Sequence, residues 1–325
     1  MPTLESAALV DPPSFAPSPV PAVVRSELPV RTSAGLFDLA DLAPVLPSLE
    51  ARLEAPEGTL WCGFRHPERP CFTASLLADL EAFYGRLRRG CDVLGPAFPI
   101  RTLVWHSTAH GIWNLGGDLQ LFVTLIRAGR QAELRRYAHA CIDAVWRNWT
   151  KLDLPVLTIA LVQGDTLGGG FEAVLTNDVV IAERDSRFGL PESLFNLFPG
   201  MGAYSLLGRR VAPALVEEMI RSGRIYTAQE LAEVGLVDMV APPGEGVAAV
   251  RHYLDANARR HRLLQTLSSV RRRCQPLDRD ELIDVTDLWV EAALALDPAD
   301  LRRMERLVAA QRRRYTAAPG PAISN

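Results

Sequence analysis

The sequence predicts an α/β fold whose strands run mostly parallel, on three observations. Short apolar runs at 100–105, 156–162 and 179–182 have the length of buried strands, and stretches of helical spacing separate them. Glycine-rich turns stand where a strand hands over to a helix. From Val250 onward strand signals disappear, so residues 250–325 read as a helical C-terminal region that caps a pocket or joins subunits.

Taken in order, residues 1–32 form a Pro-rich extension, with Pro12, Pro13, Pro19, Pro21 and Pro29 among Ala, Ser and Val and no sustained apolar period. Such a stretch reads as a disordered or loosely docked tail. The folded core is expected over 33–249. Leu76, Leu77, Leu80, Phe83, Tyr84 and Leu87 share a helix face that Gly90 is expected to close, and a long helical stretch runs from Leu119 to about Trp149. Thr227 with Glu230 three residues on is a capping box, opening a short helix that Gly235 ends. In the last region Trp289, Leu294, Leu301, Leu307 and Val308 are the expected core positions. No internal repeat is visible.

At 325 residues, 48% hydrophobic and 22% charged, the chain has the composition of a globular protein with one large core or two smaller ones. A net charge of -3 gives no global attraction to nucleic acid or to an anionic membrane. No apolar run approaches the roughly 18 residues of a spanning helix. The N-terminus lacks the pattern of a secretory signal, so the expected location is cytoplasmic. Five widely spaced cysteines suit reduced thiols better than a disulfide framework.

The most informative segment is Gly164-Asp165-Thr166-Leu167-Gly168-Gly169-Gly170-Phe171-Glu172. Glycines at a strand-to-helix turn leave backbone N–H groups unshielded, and the positive end of the following helix suits them to a developing oxyanion or enolate. The glycine spacing does not give the G-x-G-x-x-G of a dinucleotide site. Similar turns occur at Leu115-Gly116-Gly117-Asp118 and Pro199-Gly200-Met201-Gly202, the last just after Pro191-Glu192-Ser193. Glu172 and Glu192 therefore invite a paired acid/base role.

At this point the chain resembles the enoyl-CoA hydratase/isomerase (crotonase) superfamily, over residues 64–241. The resemblance implies a crotonase-type core of repeated β-β-α units. It implies Glu172 and Glu192 as catalytic, the N–H groups of Leu115 and Gly169 as oxyanion donors, and Gly116, Gly168, Met201, Gly202, Trp289 and Leu307 around the substrate. Within the superfamily, Asn114-Leu-Gly-Gly-Asp-Leu and Glu192-Ser-Leu-Phe-Asn-Leu-Phe-Pro-Gly-Met-Gly-Ala resemble the diffusible signal factor synthases, which make cis-2-unsaturated fatty acid quorum-sensing signals. That implies dehydration of a 3-hydroxyacyl thioester on acyl carrier protein or coenzyme A, followed by thioester hydrolysis, with no cofactor and no metal. It further implies a trimer or hexamer. A conventional enoyl-CoA hydratase, and a catalytically silent relative that binds a partner such as a sensor kinase, are the competing readings.

Several other features are set aside on chemical grounds. His106 and His110 lie on a strand entering a turn, with no Glu in an H-E-x-x-H arrangement, so they do not read as metal ligands. Ser193 reads as a turn residue, since no G-x-S-x-G elbow surrounds it. Asp118 is expected to brace its loop. The basic runs Arg86, Arg88, Arg89 and Arg271–Arg273 read as solvated helix ends or as docking points for an acidic carrier.

Overall fold

The computed structural model of the chain describes residues 30–32, 35–37, 45–54 and 57–317. Residues 1–29, where the disordered tail is expected, lie outside the described residues; the last three of that extension, Val30–Thr32 (β1), pair with Gly35–Phe37 (β2).

The core is built from paired strands. In order they are β3 (Leu49–Glu54), β4 (Thr59–Phe64), β5 (Thr102–Ser107), β6 (Gly111–Asn114), β7 (Leu157–Val162), β8 (Gly164–Leu167), β9 (Val179–Glu183), β10 (Arg187–Gly189), β11 (Ile225–Thr227) and β12 (Met239–Ala241). One sheet has the order β12-β9-β7-β5-β4-β3, parallel except for the β3–β4 hairpin. The second has the order β11-β10-β8-β6, parallel except at β10–β11. Successive strand pairs β5–β6, β7–β8 and β9–β10 thus send their first member to the large sheet and their second to the small one. The strands β4, β7 and β9 are buried at every position, as expected of parallel strands covered on both faces.

The helices are α1 (Ala74–Leu94), α2 (Leu119–Arg127), α3 (Gln131–Thr150), α4 (Gly169–Leu175), α5 (Ala203–Leu207), α6 (Pro213–Ser222), α7 (Ala228–Glu233), α8 (Gly246–Ala256), α9 (His261–Cys274), α10 (Arg279–Leu294) and α11 (Pro298–Ala317). The expected capping box of α7 forms, with both reciprocal bonds between Thr227 and Glu230. Helix α1 runs past Gly90, which is buried within it, and stops at Gly95; the extra turn places Leu94 in the core. The single helix expected over 119–149 is two, broken at Gly129, whose φ of 63° no helical residue adopts.

The four C-terminal helices divide between two faces. Val250, Tyr253 and Leu254 of α8 and Leu264 of α9 cover the large sheet on the side away from α1. Helices α10 and α11 pack on α3 and α2 instead, burying Leu282, Trp289, Leu301 and Met304. A buried ion pair ties α9 to the sheet: Lys151 Nζ lies 2.5 Å from Asp178 Oδ2 and donates to Ser268 Oγ at 2.9 Å. No helix among the described residues is long and apolar enough to cross a membrane.

Candidate active site

The three parallel strands of the small sheet, β6, β8 and β10, end together, and each hands its chain to a turn at the same place. β6 delivers residues 115–118, β8 delivers Gly168 and α4, and β10 delivers the 3-10 turn Pro191–Phe195. These turns converge on a cavity of about 330 Å³. It is lined by Leu115, Gly117, Gly168, Gly169, Glu172, Glu192 and Met201, with Trp289 and Leu307 contributed by the C-terminal helices. Sequence elements from Phe64 to Gln311 thereby meet around one space.

Glu172 stands on the first turn of α4 and is 1% exposed. Its Oε1 accepts the N–H groups of Met201 and Ala203, each at 2.9 Å. Burial pushes its pKa above the ordinary carboxylate value, and the two N–H donors partly oppose that rise. Glu192 is the second residue of the 3-10 turn; its Oε2 is buried without a hydrogen-bond partner among the described residues. Its pKa is also raised, first by burial and then by the charge of Glu172. Each carboxyl therefore holds its proton more tightly than an exposed one, and the charge of either disfavours ionisation of the other.

The glycines of the turn are fixed by close approach. Gly168 adopts φ 51° and ψ −126°, and a Cβ there would sit 2.5 Å from Glu192 Oε1. Gly116, at φ 91°, would bring a Cβ within 2.7 Å of the Gly169 nitrogen. The two glycine-rich turns therefore touch through bare backbone.

The loop 115–118 departs from the sequence expectation in one respect. The Leu115 N–H donates to the Pro70 carbonyl at 2.7 Å, so it is engaged and does not face the cavity. The neighbouring peptide is turned the other way. Its carbonyl, on Gly116, accepts the Phe72 N–H at 2.8 Å, and across a trans peptide the Gly117 N–H must point to the opposite side. Gly117 lines the cavity, and its nitrogen lies 3.4 Å from the position of a Cβ on Gly169. Among the described residues neither the Gly117 N–H nor the Gly169 N–H has an acceptor; the latter is at a helix start, where none exists within the helix. In this loop the N–H without an acceptor is that of Gly117 rather than Leu115, and the Gly116-Gly117 pair marks the place in the sequence.

Asp118 braces the loop as expected. It caps α2 through Leu121 N–H, pairs with Arg69 at 2.5 Å, and its own N–H donates to Tyr137 Oη at 3.0 Å. Tyr137 in turn donates to the Phe72 carbonyl at 2.5 Å. Gly116 and Gly202 do not line the cavity, contrary to expectation: Gly116 packs against the second turn, and Gly202, at φ 113°, opens α5 beside Leu282 and Leu206. His106 lies within β5 and is half-buried, and the desolvation of its ring holds its pKa down at about 4. Ser193 lies in the 3-10 turn behind Glu192 and is not among the cavity residues.

Beyond Glu172 the cavity extends between three helices. Its lining includes Leu77, Leu80 and Tyr84 of α1, Cys141, Ala144, Val145 and Asn148 of α3, and Ala173, Thr176 and Asn177 on and just after α4. The spacings of three, four and seven residues place each set on one helix face. In its wall Asn148 accepts from Trp105 Nε1 at 2.9 Å and donates to Thr176 Oγ1 at 2.6 Å, so this polar side chain is satisfied among mostly apolar neighbours.

Comparison with known proteins agrees with this fold. The family model for Enoyl-CoA hydratase/isomerase matches residues 103–270. The chain is 32% identical over 170 residues to the mitochondrial methylglutaconyl-CoA hydratase of Rattus norvegicus, 52% of each chain, so it spans about half the length of the curated relatives it matches. Among solved structures it is similar in fold to enoyl-CoA hydratase from Bacillus halodurans, with 20% identity and a TM-score of 0.66 over 80% of this chain and 99% of that one. It is also similar to human mitochondrial delta3-delta2-enoyl-CoA isomerase, with 17% identity and a TM-score of 0.65 over 82% of this chain and 99% of that one.

Proposed function

The chain belongs to the enoyl-CoA hydratase/isomerase family, and from that premise we propose that it dehydrates a 3-hydroxyacyl thioester and then hydrolyses the enoyl product to a free cis-2-unsaturated acid. The observation that carries the first step is the meeting of two buried carboxyls with two unpaired N–H groups in one apolar cavity. The thioester oxygen sits against the Gly117 and Gly169 N–H groups, which stabilise enolate character as it develops; removing one such donor costs roughly 3 to 4 kcal/mol elsewhere. The ionised glutamate takes the Cα proton. The protonated one gives its proton to the hydroxyl leaving Cβ, so the products are the 2-enoyl thioester and water. The raised proton affinity of both carboxyls suits one to each task.

For the second step, water adds to the thioester carbonyl, a glutamate takes its proton, and the same two N–H groups hold the tetrahedral oxyanion. The carrier thiol then leaves with a proton. The support for this step is the resemblance of residues 114–119 and 192–203 to signal synthases, together with the lack of a serine elbow.

The channel beyond Glu172 suits an unbranched acyl chain. Seven residues of α1 or α3 span ~10 Å, which is the length of about eight methylenes at ordinary carbon–carbon spacing. The Asn148 side chain, already satisfied, offers nothing to a polar acyl chain. The conventional hydratase reading draws support from the relative named methylglutaconyl-CoA hydratase. Incubation with 3-hydroxyacyl carrier protein, and in parallel with the coenzyme A thioester, separates the two. Free cis-2-enoic acid is the expected product; reversible trans hydration with no free acid supports the conventional hydratase instead.

A further inference from the structure

Gly200 lies between the C-terminal helix α10 and the buried Glu172. On one side the hydroxyl of Thr286, fully buried, donates to the Gly200 carbonyl at 2.7 Å. On the other the Met201 N–H donates to Glu172 Oε1 at 2.9 Å. These are the two ends of a single peptide group, and in a trans peptide the carbonyl and the N–H point in opposite directions. Thr286 and Glu172 therefore grip one peptide from opposite sides. One turn further along α10, Trp289 closes on Gly200 so tightly that a Cβ there would lie 2.2 Å from indole Cγ. The peptide cannot rotate without disturbing α10.

We propose that Thr286 is a positioning residue for Glu172: its hydroxyl fixes the Gly200–Met201 peptide so that the Met201 N–H stays aimed at the carboxylate. The C-terminal helical region then does more than cover the cavity. Hydrogen bonds to the charged form favour ionisation, and chained bonds polarise one another, so the hydroxyl–carbonyl bond strengthens the N–H–carboxylate bond behind it. The other groups facing Glu172 among the described residues are Glu192 on the 3-10 turn, Cys141 on α3, and the Ala203 N–H. Burial pushes the Cys141 thiol up to about 12, so it stays neutral throughout the working range. Glu192 is the only other one of these groups that carries a charge there, and it is neutralised for the test.

The position is read by titrating the side-chain carboxyls of ¹³C-glutamate-labelled protein in a Glu192→Gln background, with the Glu172 resonance assigned by its loss in Glu172→Gln. Thr286→Val keeps the shape of the side chain and removes the donor. The Glu172 midpoint is expected to move up by about one pH unit, since one of its two charge-assisted donors is weakened. Thr286→Ser, which keeps the hydroxyl, is expected to titrate as wild type. An unmoved midpoint in folded Thr286→Val overturns the proposal, as does an equal shift in Thr286→Ser. If valine is not tolerated, Thr286→Cys, a weak donor of similar size, is read against the same two outcomes. The assignment of Glu172 as a working carboxyl rests on the proposed function, but this titration needs no substrate. A shift in a protein without dehydratase activity therefore overturns the function and leaves the positioning role standing.

Discussion

Replacing Gly168 by alanine puts a methyl group 2.5 Å from Glu192 Oε1, well inside contact distance, at a backbone position of φ 51° and ψ −126°. Two costs follow. A non-glycine residue in that conformation is strained by about 1–3 kcal/mol. The backbone has little freedom to relax, because the Gly168 N–H donates to Gly189 at 2.8 Å and its carbonyl accepts from Glu172 N–H at 3.1 Å. The carboxylate of Glu192 is the part that yields, and it moves by roughly 1 Å, a displacement of the size that costs about 100-fold in rate. The expected variant is folded, less stable by about 1–3 kcal/mol in denaturant unfolding, and reduced about 100-fold in kcat with a smaller change in KM. Hydration of an enoyl thioester, followed by loss of its conjugated absorbance, gives both constants. A Gly168→Ala protein with wild-type kcat refutes the placement of Glu192 in the reaction.

Three other outcomes are expected. Ala144→Phe fills the channel between α1 and α3, so activity on long acyl chains falls by at least tenfold while a four-carbon thioester is turned over normally; a uniform loss across chain lengths contradicts the channel. Glu172 has a folded pKa raised above its ordinary value of 4.5, so its contribution to stability is present below that value and is lost as pH rises through the folded one. Glu172→Gln, measured by denaturant midpoint from pH 5 to 9, is accordingly expected to lose less stability with rising pH than wild type, and parallel curves contradict the buried, proton-retaining carboxyl. Lys151→Met leaves Asp178 with the more distant Arg272, at 3.9 Å, as its ion-pair partner among the described residues, beside the Thr158 N–H and the Ser268 hydroxyl that it accepts from, and is expected to destabilise the protein by about 3 kcal/mol; a change under about 1 kcal/mol in chemical unfolding shows that the pair is not holding α9 in place.

What the sequence made legible was the pattern that repeats locally. Buried parallel strands announce themselves as apolar runs, and the runs at 156–162 and 179–182 fall almost residue for residue on β7 and β9. Glu172 was readable because its turn is written in consecutive residues. Helix ends were less so: Gly90 looked like a stop, but Leu94 beyond it is apolar and reaches the core, which carries α1 to Gly95. The same weighting hid Gly129 inside an otherwise periodic stretch. The loop 115–118 shows a finer limit. Which N–H of Leu115, Gly116 and Gly117 faces the cavity depends on the partners of the other two, and Pro70 and Phe72 lie more than forty residues away in sequence. The channel had no sequence signal, since its walls come from α1, α3 and α4 and each wall residue has ordinary core spacing. Thr286 was equally silent, because nothing in its neighbourhood of α10 points to Gly200.

The central claim is that Glu172 and Glu192 work as a pair beside the Gly117 and Gly169 N–H groups. Dehydration of a 3-hydroxyacyl thioester, measured with purified Glu172→Ala and Glu192→Ala, tests it most directly. Each single substitution is expected to abolish turnover in a protein that still unfolds cooperatively, and the double variant is expected to be no worse than either. Turnover retained in both single variants contradicts the account.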